Sequence, residues 1–411
     1  MHPLPTIADA LSETLLLPDT EAELKELVRQ LHSDVQPWTP AGLATRLDWS
    51  APLQKAGPKL SVQQLKGVID HAVDDLTITV QAGLPLTDLQ SLLAKHQQWL
   101  PVDWPWGTCP QQPSSAGTVG GLIARGLSGS LRQRHMGVRD QLIGIGLMRS
   151  DGVAAHAGGR VVKNVAGYDL MRLLCGSWGS LALITEVTLR VQPLRHHRHA
   201  LLIRGELSQL EPLRAKVVGS GFTPDWIDWE RTSCGSCSLQ LGVASISDAA
   251  VKDQLDQVAR LAAEMGLATT HTSWAEAVPD PIDMGIDQPT PWLLRLCLPP
   301  ARCVELLASE ACEQLQGWHW RMAAGRGSGE AWQKADAISS ADQVNALRQR
   351  VADLDGEMIV LKQPTRTPDS QDLPAWLDAP SKPVIEAVKR QFDPKFQLAR
   401  GRLPGVETPL H

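Results

Sequence analysis

The sequence predicts an α+β protein in two parts, and three observations lead to that expectation. Strand and helix signals alternate through the first 195 residues. Three glycine-bearing turns, at 116–121 (A-G-T-V-G-G), 159–170 (G-R-V-V-K-N-V-A-G-Y-D-L) and 176–187 (G-S-W-G-S-L-A-L-I-T-E-V), each adjoin a strand-like run. A polar stretch at 193–199 then separates this region from a second α+β pattern. A chain of 411 residues fits two or three domains, and a hydrophobic content of 43% can fill a sizeable core.

The elements follow from local pattern. After the apolar run 14–17, Thr20 opens a helix with Glu23 in capping-box position, and Leu24, Leu27, Val28 and Leu31 follow at helical spacing. The segment 35–38 leads into the loop 41–46. Residues 76–81 read as a strand, and Thr87 with Gln90 suggests a second capping box. Residues 101–140 are rich in Gly, Pro, Ser and Trp and weak in periodicity; such a segment inside a domain is usually functional or disordered. Alternating apolar character returns at 141–148. Along 186–191, Val187, Leu189 and Val191 share one face, and Glu186, Thr188 and Arg190 share the other. Beyond the break, 201–204, 292–298, 318–322 and 357–361 read as strands. Helices are expected at 208–218 (with Glu211 in capping-box position), 248–265, 302–315 and 341–354.

Composition excludes several classes. The net charge is −6 with both signs dispersed, unlike the basic stripe of a nucleic-acid binder. No run of about 18 apolar residues predicts a membrane span. Residues 1–15 lack a basic region followed by an apolar stretch, so no secretory leader is expected. The seven cysteines are irregularly spaced, as for reduced thiols in a cytosolic protein. The 14 Trp against one Tyr and three Phe carry no functional message that we can read.

The glycine turns suggest a backbone-lined site for a large anionic cofactor. A dinucleotide pyrophosphate can be held by consecutive main-chain N–H groups in a concave turn, without side-chain charge. Such turns need positive φ and close approach of the backbone, which glycine permits. The loop Ala41-Gly42-Leu43-Ala44-Thr45-Arg46 stands where a first turn of this kind would fall, yet it holds a single glycine. Were a left-handed residue required at 41 or 44, alanine there would be strained by about 1 kcal/mol or more.

In this order the turns resemble the FAD domain of the vanillyl-alcohol oxidase and p-cresol methylhydroxylase superfamily. Within it, the chain is most similar to the FAD-binding E-subunit family of glycolate oxidases. Ser114-Ser115-Ala116-Gly117-Thr118-Val119-Gly120-Gly121 matches that family's Gly-Thr-Ile-Gly-Gly, and Gly129, Arg134 and Gly137-Val138-Arg139-Asp140 match its next block. The first loop departs from the family's Gly-x-Gly-Ser/Thr. The resemblance covers 18–194, and more weakly the loop 325–327 and the tail 392–405. It implies a two-part FAD-binding domain over 1–195 with a return segment at 385–411, and an α+β cap domain over 196–384. It implies FAD held non-covalently by Ala41, Gly42, Leu43, Ala44 and Thr45, by Pro101, by Gly117, Thr118, Val119, Gly120 and Gly121, by Ser128, Gly129, Arg139 and Asp140, by Lys163 and Asn164, and by Ile184.

It also implies a role in glycolate catabolism and photorespiration, in a multisubunit glycolate oxidase that turns a 2-hydroxy acid into glyoxylate. A paralogous catalytic flavin subunit and an iron–sulfur subunit would be partners. The complex would be cytoplasmic and peripheral to the membrane, with no nucleic acid involved.

Other motifs weigh less. Gly144-Ile145-Gly146 lacks the third glycine and the following helix of a dinucleotide fingerprint, and fits a buried strand. The run 325–329 (G-R-G-S-G) reads as a flexible loop. Cys234-Gly235-Ser236-Cys237 is a single pair where a zinc or iron–sulfur site needs about four ligands, so no metal is expected. Hydroxy-acid oxidation needs a base and commonly an arginine for the carboxylate. Relatives that oxidise 2-hydroxy acids carry His-x-Gly-Asp-Gly-Asn in their second domain, and this chain has no such motif. After His199 only His271, His319 and His411 remain, each isolated. His71, His135 and His156 suit surface or cap positions, so no catalytic residue is named. The expectation is an electron-carrying or accessory flavin subunit. A scaffold with a degenerate flavin site and a stand-alone alcohol oxidase remain alternatives.

Overall fold

The computed structural model describes residues 14–54, 57–103, 112–159, 169–274, 292–333, 339–364 and 372–409. They form two compact units. The first comprises the described parts of 14–127, 138–194 and 376–409; the second comprises those of 128–137 and 195–375.

The first unit has two main sheets. A parallel three-stranded sheet runs β1 (Leu15–Leu16), β3 (Lys59–Ser61), β2 (Thr39–Ala41). The helix Glu21–Ser33 lies between β1 and β2 in the chain and buries Leu24, Val28 and Leu31 of the stripe its periodicity predicts, with Leu27 half-buried at its edge. Thr20 caps it, accepting from the Glu23 amide, while the Glu23 carboxylate reaches the Asp19 amide. An antiparallel five-stranded sheet has the order β4 (Val68–Ala72), β5 (Thr77–Gln81), β9 (Leu183–Arg190), β7 (Leu142–Met148), β8 (Ala154–Gly158). All seven residues of β7 are buried, so Gly144-Ile145-Gly146 is interior strand. β6 (Gln98–Trp99) and β10 (Gln192–Pro193) form a small separate pair.

The tail belongs to this unit. The Lys389 ammonium, buried in the helix Lys382–Phe392, donates to the carbonyls of Ser180 and Leu398 and to the Asp393 carboxylate, at 2.7, 3.0 and 2.6 Å. The Gln397 amide donates to the carbonyls of Leu31 and Gln36. A chain end without a long sheet partner is thus tied down by buried polar contacts.

The second unit is built on one antiparallel eight-stranded sheet. Its order is β14 (Ala268–Ser273), β11 (His197–Arg204), β13 (Cys237–Ser245), β12 (Trp226–Arg231), β16 (Trp318–Ala323), β17 (Ser328–Gln333), β15 (Leu293–Cys297), β18 (Glu357–Lys362). The helices Leu207–Val218, Asp248–Glu264 and Ala341–Asp353 contribute Leu213, Leu255 and Leu347 to its core, alongside Trp229, Trp318 and Trp320. Alternating with Trp229, Asp228 and Glu230 carry polar contacts: Asp228 accepts from Arg321 at 2.5 Å and from Ser130.

Several local expectations give way. The helix Leu86–Lys95 has Pro85 at its N-cap and no side-chain cap. Gln90 instead grips both backbone groups of Leu100, at 2.7 and 3.1 Å. Glu206 with Gln209, not Glu211, caps the helix Leu207–Val218; Glu211 holds Arg214 through two 2.6 Å bonds. The stretch expected as one helix over 302–315 is broken into Cys303–Leu307 and Glu310–Glu313. The run 325–329 turns directly into β17, and its last two residues are strand.

Candidate cofactor site

The glycine turns at 116–121 and 176–187 and the loop 41–46 line one cleft of about 750 Å³, part of it open to solvent; the turn at 159–170 falls mostly outside the described residues. Its walls come from the loop after β2 (Gly42 to Leu47), the start of the helix Val119–Arg125, the Trp178-Gly179 turn, the beginning of β9, and Arg402 from the tail.

The first loop is set by one close approach and one left-handed residue. A Cβ at Gly42 would stand 2.3 Å from the Thr118 hydroxyl, so glycine is required there. Thr118 is the N-cap of the helix Val119–Arg125, and its hydroxyl accepts from the Gly121 amide at 3.1 Å. Ala44 has φ of 56°, the conformation the sequence analysis flagged as strained for alanine. The turn therefore forms with one glycine. Among the described residues, no protein acceptor takes the amides of Gly42, Leu43, Ala44 or Thr45. Four consecutive uncommitted N–H groups beside a cleft suit an anion.

The second loop behaves differently. The amides of Gly117, Val119 and Gly120 donate to the carbonyls of Ser114, Leu84 and Ala82, at 3.0, 2.9 and 2.8 Å. Gly120 is needed because a Cβ there would lie 2.8 Å from the Cβ of Ala82. The close approach predicted for a ligand is thus an approach to the protein's own chain. Gly117, Thr118, Gly120 and Gly121 line the cleft, but most of their donors are spent internally.

Among the described residues, the wall holds three guanidinium groups, those of Arg46, Arg125 and Arg402, and no Asp or Glu. Burial lowers Arg46 and Arg402 to about 10, against a smaller opposing pull from Asp48, and both stay cationic at neutral pH. Burial, with the like charge of Arg46, lowers Arg125 as well. Val62, Ala124, Ala182, Leu183 and Ile184 supply apolar surface. An uncommitted amide run, a cationic wall and an apolar floor together fit a dinucleotide with a charged bridge and a flat ring.

A family model described as an FAD binding domain matches residues 12–158. The chain carries an FAD-binding domain. Its cofactor is FAD. A solved structure of alkyldihydroxyacetonephosphate synthase superposes with a TM-score of 0.65, covering 94% of this chain and 75% of that one at 15% identity. The glycolate oxidase subunit GlcE of Escherichia coli (strain K12) is 33% identical over 195 residues, 47% of this chain and 53% of that protein. The mitochondrial D-lactate dehydrogenase [cytochrome] of Arabidopsis thaliana is 29% identical over 185 residues, 45% of this chain and 31% of that protein. The chain spans about half or less of the length of these curated relatives.

Of the residues expected to hold FAD, the structure brings Ala41, Gly42, Leu43, Ala44, Thr45, Gly117, Thr118, Gly120, Gly121 and Ile184 to the cleft of the FAD domain. Val119 is not in the lining: its side chain is buried in the core and its amide is bonded to Leu84. Pro101, Arg139 and Asp140 are not in the lining; the Pro101 carbonyl accepts from the Gln141 side chain, and Arg139 is exposed. Ser128 and Gly129 fall in the second unit, where the Ser128 carbonyl accepts from Arg295. Lys163 and Asn164 lie outside the described residues. Sequence reasoning missed the three arginines. Arg46 is next to the first loop and could have been noticed; nothing local marks Arg125 or Arg402.

Among the described residues, no histidine lies in the cleft. His135 is not at the surface: it is buried in the second unit, 2.7 Å from Asp225, which also meets Arg195 at 3.2 Å. His71 pairs with Gln98, His199 and His271 face Asp248 and Asp256, and His319 stacks on Trp332. Among the described residues, no group of three or more His, Cys, Asp or Glu is placed to hold a metal, and no helix is long and apolar enough to cross a membrane. Cys234 and Cys237 are free thiols in the β12–β13 hairpin.

Proposed function

We propose that this chain is the FAD-bearing, electron-carrying subunit of a multisubunit 2-hydroxy-acid oxidoreductase acting on glycolate and yielding glyoxylate. The observation that carries the flavin part is the run of four uncommitted amides, Gly42 to Thr45, opening on an arginine-lined cleft. These amides would hold the pyrophosphate, with Gly117, Thr118 and Gly121 lining the cleft beside it, and the apolar start of β9 would flank the remainder. Bound FAD supplies reversible two-electron chemistry, while the protein positions it and shields it from water.

Likeness to GlcE supports the substrate class and the subunit role. The accessory assignment is supported by the sequence, which lacks the His-x-Gly-Asp-Gly-Asn motif and offers only isolated histidines in its second half. Substrate oxidation would then occur on a paralogous flavin subunit, with an iron–sulfur subunit taking electrons onward, in a cytoplasmic complex peripheral to the membrane. The FAD site would belong to a domain comprising 1–195 and the return segment 385–411, with 196–384 as the cap.

The purified chain tests this directly. It should take up FAD and show a flavin spectrum, and anaerobic glycolate alone should leave that spectrum oxidised. Bleaching by glycolate in the isolated chain would instead identify a stand-alone oxidase. Failure to take up flavin at any FAD concentration would reduce the chain to a scaffold.

A further inference from the structure

The main-chain turn accounts for hydrogen bonding to an anion, but not for three arginines gathered in the same wall. They come from three distant segments: Arg46 from the first loop, Arg125 from the end of the helix Val119–Arg125, and Arg402 from the tail. Each is anchored by main-chain carbonyls. Arg46 donates to Ser115 at 2.7 Å, Arg125 to Gly121 at 3.1 Å, and Arg402 to Ala51 and Leu47 at 3.0 and 2.9 Å. Buried Trp49 holds two of them, its ring 5.4 Å from the Arg46 guanidinium and 5.8 Å from that of Arg125. These two like charges are close enough to disfavour one another. The carboxylate whose field reaches Arg46 and Arg402 is Asp48, which is exposed and outside the lining. Like charges held together, with no Asp or Glu among the described residues of the shared wall, suit an anion there.

We infer that Arg46, Arg125 and Arg402 form a cationic wall that binds the pyrophosphate of FAD beside the amide run, with Trp49 as a positioning residue. The inference rests on the FAD reading of the cleft and adds the residues that would set affinity. Guanidinium donors to phosphate oxygens are the stronger, charge-assisted kind. Because Arg402 lies in the tail, a docked C-terminal segment becomes part of the cofactor site.

The test uses the apo form of the full chain, with inorganic pyrophosphate, riboflavin and FAD as probes and titration calorimetry as the readout. Pyrophosphate should bind and displace FAD, and riboflavin, which lacks phosphate, should not respond to the arginine changes. Arg125→Gln should weaken FAD and pyrophosphate by roughly tenfold or more, and Arg125→Lys should recover part of the loss. FAD affinity should also fall as salt rises from about 0.05 to about 0.5 M. Arg402 ties two backbone carbonyls, so Arg402→Lys, with folding checked by thermal melting, is its informative variant; it should weaken FAD while leaving the melt cooperative. Wild-type FAD affinity in Arg125→Gln and Arg402→Lys, with no displacement by pyrophosphate, would overturn the inference and leave the flavin reading standing. Pyrophosphate binding without FAD binding would overturn the flavin reading and with it the inference, leaving an anion site of another kind. Binding of neither would overturn both.

Discussion

Replacing Ala44 by glycine tests the first loop at its point of strain. Ala44 has φ of 56° and is exposed, so its methyl group has no packing to lose. The left-handed conformation costs a non-glycine residue about 1–2 kcal/mol, which glycine removes. Glycine also frees the unfolded chain, giving back about 0.4–1 kcal/mol. The balance is a stabilisation of about 0.5–1 kcal/mol, or about 1–3 °C in Tm for a domain of this size. Differential scanning fluorimetry of the apo chain, supported by urea unfolding, has the resolution to see it. FAD affinity should stay within about twofold of wild type, since the turn is already formed before the ligand arrives. A lower Tm, or a clear loss of FAD affinity, would refute the argument. It would mean that residue 44 is not left-handed in the native protein, and that the amide run is not arranged as described.

Two further outcomes follow from buried and exposed polar groups. Lys389→Met should destabilise the first unit by about 3–5 kcal/mol in urea unfolding, because it leaves the fully buried Asp393 without its cation; a loss under about 1 kcal/mol would show that the tail is not held by this pair. The hydroxyls of Ser236 and Thr232, 3.3 and 3.0 Å from its sulfur, lower the Cys234 thiol from 9.0 to about 7. Between those two values the folded chain has released a proton that the unfolded chain still holds, so stability rises with pH across that window and the gain is lost as pH falls through about 7. Thiol-reagent kinetics on Cys234 should show a midpoint near pH 7 that moves upward in Ser236→Ala; a midpoint unchanged by that substitution would discount the hydroxyl contacts.

The helices were the most legible part of the fold. Leu24, Val28 and Leu31 of the first helix are buried as their spacing predicts, and the helix expected over 248–265 forms and buries Val251, Leu255 and Val258, because a helix can hide only one face. Polar residues near helix starts were less legible. Gln90 and Glu211 match the capping pattern but spend their side chains on Leu100 and Arg214, partners that a local motif cannot reveal. The strands Val68–Ala72 and Ala154–Gly158 were not anticipated, since they lie at the sheet edges, half solvated and without apolar alternation.

By itself the sequence marked glycine-bearing turns beside strands as a backbone-lined site for an anionic cofactor, because the spacing of strands and turns is local information. Tertiary structure decided which donors remain for the ligand. The glycine-rich second loop commits its amides to Ala82 and Leu84, whereas the glycine-poor first loop keeps its own available. It also decided the charge of the site, by bringing Arg402 from the far end of the chain to Arg46 and Arg125. Whether an amide or a guanidinium is committed depends on which neighbour folding brings within hydrogen-bond reach, and that distance is not encoded in any single segment.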